Sequence, residues 1–540
     1  MRNRWLKMAT ISVGLACLLQ AATPTAGKER LRRLVHLPTV SVGIGVNFDS
    51  THGFEMMSQQ TDVNREIGEI KKELLGNGAD APRHFRLACL YAEVGDRNRA
   101  ISELDRAIAL YRQQDAAQSD NGKLLAGLGE ALNAAGKTAE AERTLRQGIK
   151  VSPREWTCRV AFGRFLMRYS FGVLCGGEGK SDGLFAAPNS LANLLASKPS
   201  SARVEKAREL AEESVEQFNE AVGLAPSEPE VYAGRALCLS GRAMLKAAIR
   251  IASGEESDPA RFGTAPFSKE ALPDLQQVAR LRPKDHRAIG TAALFEVFCV
   301  EVEHGVPQLG SLIGGAGWRN MPDATRQSVR AAVGRLEEVG QSGDNLQAAG
   351  ALEVLGAIQA LVIQDLSGAE ANLRRAVTLD PSRDTAWELL IGITATNRRF
   401  PELQALAETR LKAMDTPRNR LILAKAFDNL DQSDRCMAEA EAARRRFPND
   451  FGCALAVAAA ILKSEVGMLL LNPVEALILR AEQLLGPAPS REAMADLLLI
   501  RGLFYGLSDQ PDLARASLNR LLVLDKDNAE AKEALAALDD

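Results

Sequence analysis

The feature that most constrains this chain is the spacing of small residues within 122–153, GKLLAGLGEALNAAGKTAEAERTLRQGIKVSP. Leu128, Gly129 and Leu132 share one face of a first helix, Gly136 breaks the chain, and Ala141, Leu145 and Gly148 share one face of a second. Pro153 then ends the unit. Small residues at matched places on two antiparallel helices are useful only where backbones come close, so the stretch spells one tightly packed helical hairpin. The same pattern begins earlier with Leu87, Ala88, Tyr91, Gly95, Ala100, Leu104 and Ala107, and it is traceable to the C-terminus. With 46% hydrophobic but only 5% aromatic residues, the composition suits helices packed through alanine, glycine and leucine. At 540 residues, one array that grows by adding hairpins explains the length better than a single large core.

This pattern resembles the tetratricopeptide (TPR) repeat, a 34-residue helical hairpin. The resemblance implies an all-α, right-handed superhelical TPR solenoid of about ten hairpins over 61–540. The third repeat begins at Trp156 with Phe162, Gly163 and Leu166, but its second helix resumes only at Ser214, after about 39 extra residues. The fourth contains Tyr232, Ala236 and Leu239, then Ala271 and Leu275 after an excess of about 23. In the fifth, His286 opens an apolar run that ends in a glycine-rich break, and a second helix is expected near 323–339. The inserts are therefore placed at about 167–204, 253–268 and 305–321. Regular spacing returns with Ala357, Ala369, Leu373, Ala376 and Pro381, again with Leu423, Cys436 and Ala440, and clearly with Gly502, Tyr505, Ala514, Leu518 and Leu521. Residues 529–538 form a last, acidic capping helix.

At the N-terminus, Arg2, Arg4 and Lys7 precede an apolar run from Met8 to Leu19 and the small residues Ala21, Ala22 and Ala26. This reads as an export signal over 1–26, placing the mature chain in the periplasm or cell envelope of a bacterium, with a cytoplasmic protein as the alternative. The run is too short for a comfortable membrane span, and no span is expected in the mature chain. Gly14-Leu15-Ala16-Cys17 distantly resembles a lipoprotein box, with Gly14 where leucine is required, so a lipid anchor at Cys17 is a lesser alternative. Residues 27–60 carry no helical period, and Val40 to Phe48 alternates as an extended segment does. The eight cysteines lack Cys-x-x-Cys spacing, and only Cys158 and Cys175 invite pairing.

No constellation carries chemistry. The five histidines show no ligand spacing, so no metal is expected. Gly176-Gly177-Glu178-Gly179-Lys180-Ser181 ends like a phosphate-binding loop but has Leu174 where a glycine belongs, inside a helical repeat. No cofactor is expected. A net charge of −3, with basic and acidic residues interspersed, argues against nucleic acid as a partner.

In the TPR family, first helices line a concave surface that binds a peptide or helix. The resemblance thus implies a protein-interaction scaffold or adaptor rather than an enzyme. In that register Leu237, Leu294, Val297, Phe298, Val354, Ile358 and Leu361 of repeats four to six face the groove, an apolar stretch of the kind that marks an interaction surface. Phe85, Cys89 and Gly127 replace the lysine and asparagine of the family's chaperone-type carboxylate clamp. The competing reading is an enzyme, or an accessory subunit of one, with a site built from the inserted loops of repeats three to five.

Overall fold

The computed structural model describes residues 26–35, 37, 46–49, 53–56, 60–76, 80–117, 121–176, 199–256, 265–303, 316–464, 471–486 and 490–539. They form an all-α array of helical hairpins, accompanied by one two-stranded antiparallel hairpin near the N-terminus. The chain divides into two compact units, one spanning 43–390 and the other combining 1–42 with 391–540.

In the 43–390 unit the capping helix Gln60–Gly76 precedes repeat one, in which Ala81–Glu93 packs on Arg97–Ala117. Repeat two pairs Gly122–Ala134 with Thr138–Val151, and repeat three Trp156–Leu174 with Ser201–Leu224. Repeat four pairs Pro229–Ala252 with Leu272–Leu281, repeat five His286–Glu303 with Asp323–Gly340, and repeat six Asn345–Ile358 with Leu366–Leu379. In the other unit, Pro417–Asn429 with Ser433–Arg446, Phe451–Lys463 with Leu471–Leu484, and Arg491–Leu507 with Pro511–Leu524 are repeats eight to ten, closed by Ala529–Ala537.

Local chemistry sets the helix ends. Side chains of Asp80, Asn121, Asp365, Asp450, Ser490 and Asn528 accept the amide three residues on, satisfying a donor that has no partner inside the helix. First helices end in a left-handed residue, followed by an amide that reaches back five residues, as from Asp96 to Tyr91 and from Lys137 to Leu132. Gly95 and Gly136 hold that position in repeats one and two, whereas Arg398, Asp431 and Asp509, at φ of 54°, 56° and 58°, hold it in repeats seven, eight and ten. The small residues act as expected. A Cβ on Gly129 would lie 2.4 Å from Leu145 Cγ, one on Gly163 2.8 Å from Phe218 Cε2, and one on Gly502 2.7 Å from Leu518 Cγ.

Several boundaries differ from the sequence reading. Both ends of the first insert are helical, since the first helix of repeat three continues to Leu174 and its second begins at Ser201, whereas the first helix of repeat four ends at Ala252, where the second insert is placed. Residues 177–198, 257–264 and 304–315, which hold most of the inserts and all but the first residue of the phosphate-loop-like sequence, lie outside the described residues. So do residues 1–25, on which the export signal and the Cys17 alternative rest. Within the segment expected to be extended, Ala26–Arg33 is instead a helix, because Leu31, Val35 and Leu37 have an apolar surface to bury against. Strand β1 (Val46–Asp49) pairs with β2 (Gly53–Met56), Val46 opposite Met56 and Asp49 opposite Gly53. Cys158 and Cys175 are not paired. The Cys158 thiol is buried and donates to the Gly122 carbonyl at 2.9 Å.

Gly129→Val should cost about 1–3 kcal/mol in urea unfolding, because Leu145 cannot retreat from a branched side chain. Asp431→Gly should stabilise by up to about 1 kcal/mol by relieving the left-handed turn.

Candidate functional site

The first helices of repeats four and five carry Leu237, Leu294, Val297 and Phe298, and all four are buried. Two things lie over these helices. Phe267, at the end of the repeat-four insert, packs its ring 4.8 Å from that of Phe298 and 5.6 Å from that of Phe295. Strand β2 lies against both first helices and so bridges them.

Repeat six departs from the expected register. There Gly356, not Ala357, makes the close approach, with its Cβ position 2.6 Å from Leu373 Cγ and 3.3 Å from the Ala369 carbonyl. These partners match those of Gly502, which meets Leu518 and the Ala514 carbonyl. One extra residue is absorbed in the π-helical turn Gln359–Ile363, and the closing amide of Asp365 accordingly reaches back six residues, to Gln359. Glu353 and Ala357 therefore take the places expected for Val354 and Ile358, which are buried, while Leu361 falls in the π turn and is half-buried. The structure thus places Leu237, Leu294, Val297 and Phe298 on two first helices that β2 contacts, and shifts the expected repeat-six positions by one residue, on a helix that packs against that of repeat five.

Beside this apolar part lies a charged one that the sequence pattern did not reveal. Buried Arg383 donates from Nη1 to Glu353 Oε2 at 3.3 Å, from Nε to Asp380 Oδ2 at 3.1 Å, and from Nη2 to the Leu346 carbonyl at 3.4 Å. Arg65, on the capping helix, donates to Asp380 Oδ2 at 3.2 Å and to Ser382 Oγ at 3.1 Å, so the 43–390 unit closes on itself. Burial pushes the Asp380 carboxyl up, but the Ser382 hydroxyl and amide, with Arg383 and Arg65, overcome this and hold it below the usual carboxylate range. A cleft of about 840 Å3 opens at this junction, lined by Arg65, Arg86, His286, Arg287, Leu346 and Arg383 among others. The residues that build it lie at helix starts and turns, where a sequence reading places solvated charge. The only advance signal is the charged cluster Asp380, Arg383 and Asp384 flanking the proline that ends repeat six.

Glu301 lies three residues beyond Phe298 and seven beyond Leu294, on the same helix face. It makes no ion pair among the described residues, and burial pushes its carboxyl up to about 7. Among the described residues, no group of three or more His, Cys, Asp or Glu side chains could hold a metal ion. Among the described residues one stretch, Asn345–Ile363, is long and apolar enough to cross a membrane; it is the first helix of repeat six with its π turn and is 78% buried over its apolar window.

Because Glu301 is held protonated in the folded chain, the stability this gives is fully present below the unfolded carboxylate pKa and is lost as pH rises through about 7. Glu301→Gln should therefore raise the thermal midpoint at pH 8 and leave it unchanged at pH 4. Arg383→Met strands Glu353 and Asp380 and should cost about 3–5 kcal/mol in chemical unfolding at pH 7.

Residues 81–114, repeat one, match the family model described as tetratricopeptide repeat. No curated protein matches the chain. Among solved structures, the chain is similar to yeast Tom70, at 13% identity over 89% of this chain and 92% of that one, with a TM-score of 0.35. It is also similar to a chain of the APC/C hetero-tetramer Cut9–Hcn1, at 14% identity over 89% and 87%, TM-score 0.32. A third is the human IFIT1 dimer with PPP-AAAA, at 12% identity over 95% and 89%, TM-score 0.33. Residues 81–114 match the tetratricopeptide repeat, and the chain continues that hairpin in an all-α series of helical hairpins.

Proposed function

We propose that this chain is a non-enzymatic scaffold or adaptor that takes a segment of a partner protein along the first helices of repeats four to six. The observation that carries this reading is the position of β2 against the helices bearing Leu237, Leu294, Val297 and Phe298. A segment outside the repeats already lies against these two helices, which is how an extended partner would be received. Affinity would come mainly from apolar burial, at about 25 cal/mol per Å2 removed from water, and Glu353 with Arg383 would bound the apolar stretch at repeat six. The basic residues and apolar run of 1–19 support export, with the partner met in the periplasm or cell envelope.

A photo-cross-linking residue at Leu237 or Leu361 should capture one partner from native envelope fractions. The same residue at Ile101, 43% exposed on a second helix, should capture none. Equal capture from both faces would sink the groove assignment. In the same fractions, the intact mass of the chain should lack about 26 N-terminal residues if export and cleavage occur.

A further inference from the structure

The helix Ala26–Arg33 lies in the 391–540 unit, against Phe451–Lys463, Arg491–Leu507 and Ala529–Ala537. The first two are the first helices of repeats nine and ten, so a non-repeat segment occupies the wall that first helices form. Its seat is shaped for it. Leu31, Val35 and Leu37 are buried in the apolar cluster of this unit. Gly506 leaves a notch, since a Cβ there would come 2.8 Å from Leu31 Cδ1 and 2.9 Å from Leu538 Cδ2. At the rim, Lys28 Nζ meets Asp509 Oδ2 at 2.7 Å, Arg30 Nε meets Glu533 Oε1 at 3.5 Å, and Arg32 Nε donates to the Lys463 carbonyl at 2.9 Å.

Two of these seat residues are locally unfavourable. Glycine within a helix is less favourable than alanine, and a left-handed aspartate stands at 509 where repeats one and two use glycine. Gly506 makes room for Leu31 as well as for Leu538 of the terminal helix, and Asp509 sets a carboxylate beside Lys28. An eight-residue helix has little stability of its own, so the order of the segment comes from the surface it docks on.

We propose that the groove of repeats nine and ten is a second binding site, kept closed by the chain's own residues 26–37. Its external ligand is a short basic amphipathic helix of a partner protein, with leucine or valine at i and i+4 preceded by lysine or arginine. The charge of Asp509 and Glu533 and the notch at Gly506 select that chemistry. Tethering gives the internal segment an effective concentration on the order of millimolar, so an external helix enters only when the segment is released. This site does not depend on the reading of repeats four to six.

The test uses the full chain and a fluorescently labelled peptide of residues 26–37, read by anisotropy. Wild type should bind it weakly, while Leu31→Asp with Val35→Asp, which undocks the internal copy, should bind at least about tenfold more tightly. Adding Gly506→Ala and Asp509→Gly to that variant should abolish the gain. If the double aspartate variant loses helicity, Lys28→Glu with Arg30→Glu replaces it. A helical variant that binds no better than wild type overturns the proposal, as does loss of helicity in both variants, which would make the segment a permanent part of the core. Concentration-dependent wild-type dimers that Leu31→Asp with Val35→Asp abolishes would overturn it in favour of exchange between copies.

Discussion

The array rests on how closely the two helices of a hairpin can approach. At Gly129, Gly356 and Gly502 a side chain no larger than hydrogen lets the leucine of the second helix press against the first helix's backbone. A hairpin so formed has apolar residues left over on its outer faces, and only another hairpin can cover them. The same contact fixes the rotation of each first helix. It therefore decides which side chains reach the binding wall and which are spent on neighbouring repeats.

That dependence explains what the sequence could and could not disclose. The hairpins at 81–117, 122–151 and 491–524 were legible because twelve residues separate the small positions of their two helices. In repeat six the separation is thirteen, and a π turn absorbs the difference without a proline or glycine to mark it. Counting back from Ala369 thus put Val354 and Ile358 one place out. The turns of repeats seven, eight and ten were obscured for a related reason: arginine and aspartate do there what glycine does in repeats one and two. The helix at 26–33 has too few apolar residues to show a period by itself, since its partner surface lies more than 400 residues away.

Charge follows a similar division. Most ion pairs join exposed side chains and add little individually. Arg383 is different, because Glu353 and Asp380 are buried with it and none of the three can be removed without stranding the others. Its position where Arg65 meets the end of repeat six makes it a fastening for the 43–390 unit.

The separation between Lys28 and Asp509 also has a consequence in time. The two residues are 481 apart in the chain. At ordinary synthesis rates of about 5–20 residues per second, the docking surface emerges roughly 25–100 s after the segment that fills it. For that interval the basic N-terminal stretch has no docking surface and is open to whatever reads nascent chains. The repeats can assemble from the N-terminal side as they appear, so completion of the last unit must await the final helix.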